Sequence, residues 1–382
     1  MLRIKFTLML TAMTGPVSMW PCAGWGGPPL VAQVTEAEDG QSTPAQENPA
    51  APLEADPLDD LLSQIQVTLK SVSVPSLQSV AKALGVEINP KGESSATSLT
   101  ELGDLDGDGV PEIALKWLLT DPNEGGPQAQ QSVRPSWGLF LLAWDGGGWR
   151  ASRLGGSAET MQFQVVRLGG SIGRAIAVVT VEGEAGVPYP AVYQVKNHAA
   201  TLVWDGQADD SRYRGYEGGR IEFRDLKQPD PTEMIVTGRA DPGLLVFRKG
   251  GRRGFLAKTA YQWDGQAYVP AVTQYSANPD YTLYRFISAL HLHNFKIAYA
   301  LIDPAKFLKV DSPSLDKFRQ LVQDSWPEFL DDQVFEALET GPDEYGFALP
   351  EKHYVYHPTI SKDGKFLLTG LERQVEIVTS DK

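Results

Sequence analysis

Trp137-Gly138-Leu139-Phe140-Leu141-Leu142-Ala143-Trp144-Asp145-Gly146 is an apolar run closed by a tripeptide that returns as Trp204-Asp205-Gly206 and Trp263-Asp264-Gly265. The copies stand 60 and 59 residues apart, and each follows a strand-like run: Trp137 to Ala143, Ala191 to Val203 and Phe255 to Gln262. An Asp-Gly pair between two β runs favours a tight hairpin, because glycine takes φ > 0 without steric penalty. Five residues past the first Trp stands Trp149, and five past the third stands Tyr268; the second copy has Asp209 there. A period of this kind predicts one supersecondary unit used three times.

A second landmark ends about thirty residues before each Trp-Asp-Gly. In the first unit it is Leu102-Gly103-Asp104-Leu105-Asp106-Gly107-Asp108-Gly109-Val110-Pro111-Glu112, leading into the strand run Ile113 to Leu118. In the third it runs from Phe223-Arg224-Asp225-Leu226 to Glu233, before Met234-Ile235-Val236. The second version, Leu168-Gly169 to Arg174, is shortened and carries no acids. Each unit is thus expected to be loop, strand, strand, Trp-Asp-Gly hairpin.

The first loop has the donor pattern of a cation site. Asp104, Asp106, Asp108 and Glu112 occupy loop positions 1, 3, 5 and 9, with Gly109 at position 6 to curl the backbone and the Val110 carbonyl at 7. A hard cation needs ~6–8 oxygens, and four carboxylates this close repel one another unless a divalent ion lies between them. Position 12 is Leu115 and a strand follows, so helix-opening EF-hand behaviour is not expected. In the third loop Lys227 stands at position 3, where its ammonium would displace an ion.

The Asp-x-Asp-Gly-Asp-Gly-x-x-Glu stretch running into a β strand resembles the calcium loop of FG-GAP (integrin-type) repeats. The resemblance is specific over about fifteen residues and loose from Leu102 to Pro270. It implies Ca2+ held by Asp104, Asp106, Asp108, Glu112 and the Val110 carbonyl, in propeller-like blades. Three units are fewer than the ~4–8 blades that close a propeller. An incomplete propeller sealed by its flanks and another curled β array both remain open.

The flanks differ in character. Arg3 and Lys5 precede an apolar run from Phe6 to Trp20, then small residues at Cys22, Ala23 and Gly24, which is the order of a secretory signal peptide. The run is shorter than the ~20 apolar residues of a spanning helix. Trp20 and Pro21 precede Cys22, so lipid anchoring there is not expected. Residues 33–55 are rich in Ala, Pro, Glu, Gln, Ser and Thr and cannot build a core. Asp56-Pro57 opens a helical stripe through Leu58, Leu61, Leu62, Ile65, Leu69 and Val72, and Ser76 to Leu84, closed by Gly85, reads as a second helix. After residue 278 come a helical pattern over Tyr281 to Leu301, a helix over Ser314 to Gln323, and alternating runs at Tyr345–Leu349, Tyr354–Ile360 and Phe366–Val378. Tyr284-Arg285-Phe286-Ile287 with Phe295 to Ala300 gives this part a faint resemblance to the nuclear-transport-factor-two-like fold.

The fold class read from the sequence is therefore multidomain and mainly β, with propeller-like repeats of about 60 residues, an N-terminal helical segment and a C-terminal α+β domain. Its parts are a signal peptide (1–24), an acidic disordered spacer (25–55), the helical segment (56–92), a three-repeat β domain with the calcium loop (93–272) and the α+β domain (278–382). A net charge of −14 disfavours nucleic acid, and a single cysteine excludes a disulfide framework and a thiolate zinc site. Gly169-Gly170-Ser171-Ile172-Gly173 matches a nucleophile elbow in letters, but a strand pattern follows where the elbow needs a helix. His291 and His293 face apart on a helix, and His353 and His357 share a strand face without a third ligand. The expected function is an exported, periplasmic or extracellular, non-catalytic calcium-binding protein with a protein, small-molecule or glycan ligand. The alternative is a secreted or periplasmic enzyme with a pocket in the C-terminal domain.

Overall fold

The structure is a computed structural model, and it describes residues 56–90, 96–120, 135–170, 172–208, 210–225, 230–249, 251–330, 338–340, 345–349 and 352–374. The expected signal peptide and spacer, with Cys22, lie outside these residues, as do Ser171, Asp209 and Lys227. Of the described residues, strand makes up 46% and helix 21%, so the described part is mainly β, in several antiparallel sheets.

Two helices open the described chain, α1 (Pro57–Leu69) and α2 (Leu77–Leu84). Asp56 caps α1 by accepting from Leu58 N, with proline at the first helical position. Ser76 caps α2, and Gly85 ends it at φ 68, a left-handed conformation that glycine adopts freely. The first sheet follows: β1 (Glu87–Ile88), β2 (Ser98–Gly103), β3 (Glu112–Thr120), β4 (Ser136–Trp144) and β5 (Trp149–Arg153), in that order, antiparallel beyond β1. Leu58, Ile65 and Leu69 of α1 and Val80 and Ala81 of α2 bury against Leu99, Ile113, Leu115, Phe140 and Leu142. Each fully buried aliphatic side chain contributes roughly 1.5–3 kcal/mol. Gly138 admits this packing, since a Cβ there would lie 2.5 Å from Leu58 Cδ2. Gln66 ties α1 to the sheet edge, donating to Trp149 O and accepting from Ala151 N.

The second sheet is β6 (Thr160–Gly169), β7 (Gly173–Glu182), β8 (Val187–Lys196) and β9 (Ala199–Asp205), all antiparallel neighbours. Next come β10 (Glu217–Arg224), β11 (Glu233–Ala240), β12 (Phe247–Lys249), β13 (Arg252–Arg253), β14 (Phe255–Trp263) and β15 (Tyr268–Tyr275). Of these β10-β11-β14-β15 form the third sheet. The sheets stack face to face. Leu139, Leu141 and Trp137 of the first meet Ile176, Val178 and Tyr193 of the second, whose other face, with Ala175, Ala177 and Trp204, meets Met234, Val236 and Tyr261 of the third.

Burial patterns follow from this order. β4 is covered on both faces and reads as a continuous apolar run, whereas β14 alternates strictly between buried and solvated residues. Its outer side chains Leu256, Lys258 and Gln262 are exposed, so the stack ends at the third sheet and no propeller is closed.

Two of the three Trp-Asp-Gly segments make the expected hairpins. Trp144 pairs with Trp149 and Trp263 with Tyr268, and Asp145 and Asp264 accept backbone N–H groups across their turns. The second does not. Trp204 and Asp205 end β9, the last strand of its sheet, and the hairpin between β8 and β9 turns at Asn197 and His198, with φ 51 and 61. The run Ala191 to Val203 is therefore two antiparallel strands instead of one. Gly206 is needed for close approach rather than for φ: its N–H bonds Pro190 O, and a Cβ would lie 2.7 Å from that oxygen.

The last part holds α3 (Pro279–His291), α4 (Phe295–Tyr299), α5 (Pro304–Leu308), α6 (Leu315–Ser325), β16 (Leu338–Thr340), β17 (Gly346–Leu349), β18 (Lys352–Ile360) and β19 (Phe366–Gln374). The pattern over Tyr281 to Leu301 is split, because His293 turns left-handed at φ 53 and Asn294 caps a new helix. The fourth sheet runs β13-β12-β16-β17-β18-β19, so a segment inserted between β11 and β14 joins it. Phe286, Phe307, Phe318, Trp326, Phe329 and Tyr354 fill the space between its helices and its strands.

Candidate metal centre

The loop from Asp104 to Glu112 joins β2 to β3, and its own side chains hold it. Asp104 accepts from Gly107 N (2.7 Å) and Gly109 N (3.1 Å), Asp106 from Asp108 N, and Asp108 from Val110 N. Gly107 and Gly109 sit at φ 86 and 87, where a side chain would be strained. The Val110 carbonyl accepts no hydrogen bond among the described residues.

Carboxylate oxygens of Asp104, Asp106 and Glu112 come within 4.8 Å of one another. Asp108 is drawn elsewhere, into a group with Asp106 and His198. The structure thus gathers three of the four expected carboxylates and places the fourth beside an unforeseen histidine.

Glu112 lies at the bottom of the loop, 1% exposed, and accepts from Leu105 N at 2.6 Å. Burial, then the charges of Asp106, Asp108 and Asp104, push its carboxyl up to about 7, against the pull of the Leu105 N–H. At neutral pH a proton therefore competes for the place a cation would take.

The second sheet completes the surroundings from two sides. Arg174 donates to the carbonyls of Asp104 (3.0 Å) and Leu102 (3.2 Å), so its charge anchors the loop backbone and leaves the carboxylates unspent. From the β8–β9 turn, His198 donates its backbone N–H to Asp106 Oδ2, and its Nδ1 lies 3.2 Å from Asp106 Oδ2 and 3.5 Å from Asp108 Oδ2. That nitrogen is buried and makes no aligned hydrogen bond. The sequence signal for it was Asn197, a residue that tolerates the left-handed region and so marks a turn. Nothing in the chain's order showed that this turn faces the acidic loop.

The related loop between β10 and β11 is arranged otherwise. Asp225 accepts from Thr232 Oγ1 at 2.7 Å and pairs with Arg167 at 3.6 Å, and no metal-competent group forms there among the described residues. The Gly169–Gly173 stretch runs straight into β7, so no helix follows as a nucleophile elbow requires. His353 and His357 are both exposed on β18, and neither joins a metal-competent group.

No described helix is long and apolar enough to cross a membrane. No protein-family model matches the chain, and no curated protein matches it.

Proposed function

We propose that this chain is an exported, non-catalytic binding protein whose first sheet is stabilised by a calcium ion in the Asp104–Glu112 loop. The observation that carries the reading is the buried Glu112 carboxyl facing Asp104 and Asp106, with a proton affinity raised to about 7 by burial first and then by the neighbouring aspartates. The donor set fits a hard cation: the three carboxylates of Asp104, Asp106 and Glu112 offer oxygen only. Asp104, Asp106, Glu112 and the Val110 carbonyl would hold the ion, with Asp108 next to them. The ion would neutralise the acids and fix β3 in register behind the loop.

The three stacked sheets are read as FG-GAP-like blades of an open, propeller-like array, and the final α+β part as similar to the nuclear-transport-factor-two-like fold. Export rests on the order of Arg3, Lys5, the Phe6–Trp20 run and Cys22-Ala23-Gly24. A non-catalytic role is supported by the aromatic side chains that fill the interior of the last part. The test is thermal melting of the full chain in millimolar calcium and in chelator. Binding to the folded state alone stabilises by roughly 3–4 kcal/mol at 100 to 1,000 times Kd, so calcium should raise Tm by several degrees. Equal melting curves would return the loop to an acidic turn before a strand.

A second reading follows from His198. Its unsatisfied Nδ1 beside Asp106 and Asp108 forms a mixed nitrogen and oxygen group, which suits a transition metal such as Zn2+ better than calcium. Stabilisation by micromolar Zn2+ that is lost in His198→Ala, without a calcium effect, would favour it.

A further inference from the structure

The outermost strand of the third sheet, β15, pairs with β14 and with no other described strand. Ala271, Val272, Thr273 and Gln274 are exposed along it, Val272 at 55%, and Leu256 beside it on β14 is 48% exposed. Ser276 N bonds Leu256 O, one step beyond the Ala257–Tyr275 pair. The alternation of an antiparallel ladder therefore spends the backbone groups of Gln274 on β14 and turns those of Thr273 and Tyr275 outward. Neither outward residue bonds backbone beyond β14 among the described residues. The Thr273 hydroxyl is taken by Thr259, so this edge offers main chain rather than side chain.

An open edge is ordinarily defended by charged side chains, which make pairing with a further strand costly. Every other described strand at the rim of a sheet carries at least one. They are Glu87 in β1, Arg150 in β5, Arg167 in β6 and Asp205 in β9. Glu222 stands in β10, the opposite rim of the same sheet, Arg252 in β13 and Glu372 in β19. β15 has none. From Gly265 to Pro279 the sequence holds no Asp, Glu, Lys, Arg or His, in a chain that is 21% charged. Pro270 and the register shift next to it guard only the first part of the strand.

A strand in this state pairs with another extended backbone, and charge selects which one. In a chain of net charge −14 two copies repel wherever charged surfaces meet, so contact between them needs a neutral strip. β15 is such a strip, and a second β15 is its neutral match. Antiparallel pairing about a two-fold axis at Thr273 sets Val272 of one copy opposite Gln274 of the other, and Tyr275 opposite Ala271, with no like charges in register. Lys258, the charged residue of β14, then stands three strand spacings from its counterpart, ~14 Å, beyond the ~8–10 Å Debye length.

We propose that β15 is a self-association edge, at which a second copy of this chain adds its own β15 and joins the two third sheets into one. The proposal is independent of the calcium loop and of any ligand. Sedimentation velocity of the full chain, in chelator, from about 5 µM to about 500 µM tests it, since a small interface gives a weak dimer. The wild type should pass from monomer to dimer over that range. Val272→Lys with Gln274→Lys sets lysines opposite one another across the joint, and Val272→Glu with Gln274→Glu does the same with carboxylates. Each double variant alone should weaken the dimer at least tenfold at an unchanged melting temperature, because both positions are exposed. Mixing the two should restore association to within about threefold of wild type, as every opposed pair becomes Lys with Glu. Leu202→Lys, at an exposed place on β9, should leave the dimer as it is. A chain that stays monomeric at every concentration would overturn the proposal. So would a dimer that survives both double variants, or one that mixing them does not restore.

Discussion

The Asp104–Glu112 loop joins β2 to β3 in the first sheet and the Asp225–Glu233 loop joins β10 to β11 in the third, and both begin and end on an acid at the same spacing. Each also meets an arginine from the second sheet. In the first loop Arg174 takes two backbone carbonyls, and the carboxylates stay turned toward one another. In the third, Arg167 takes the Asp225 carboxylate itself, and Thr232 takes the same oxygen. Spacing of acids is thus not enough to make a cation site. What a neighbouring cation does with them decides whether charge is left over for an ion.

The largest break in this contrast should come from Asp106→Ala. Asp106 belongs to both metal-competent groups and its side chain is only 4% exposed, so its loss should remove the ~3–4 kcal/mol of calcium-dependent stability in paired melts. Glu112→Gln comes next. The folded-state carboxyl titrates near 7, above its ordinary value of 4.5, so the folded state holds the proton more tightly than the unfolded state. In chelator the wild type is therefore free of this penalty below pH 4.5, loses stability as pH rises toward 7, and carries the full cost above it. That cost is about 3 kcal/mol, and the glutamine variant should melt higher than wild type at pH 8 and equally at pH 4. A variant curve parallel to wild type across that range would contradict the buried-acid account.

Much of this was legible in local chemistry, and the rest was not. The Asp/Gly alternation located the loop, and the Ser76 and Gly85 signals located the ends of α2, because caps and left-handed glycines are decided within a few residues. The turn at Asn197 and His198 has no glycine or proline, and β-forming residues on both sides made it read as one strand. His198 acts on the loop 92 residues earlier through sheet stacking, which no periodicity reports. The pairing of β12 with β16 is equally non-local, Phe247 to Leu338, so its place in the fourth sheet was invisible in the sequence.

Smaller changes sharpen the comparison. Arg174→Met removes two charge-assisted bonds to the loop backbone and should cost about 1–2 kcal/mol, with calcium affinity reduced severalfold. Arg167→Met frees Asp225, whose side chain is 63% exposed, and should cost well under about 1 kcal/mol. Asp230→Ala, at an exposed position of the third loop, should leave both stability and calcium response unchanged within error. Denaturant melts of the three variants with and without calcium check all of these.

Calcium titration of the full chain by calorimetry at pH 7.5 tests the central claim most directly. The account predicts one ion per chain, with proton release on binding that grows as the pH is lowered toward 7, and no binding in Asp106→Ala. Two ions per chain, one ion retained in Asp106→Ala, or no heat at millimolar calcium would contradict it.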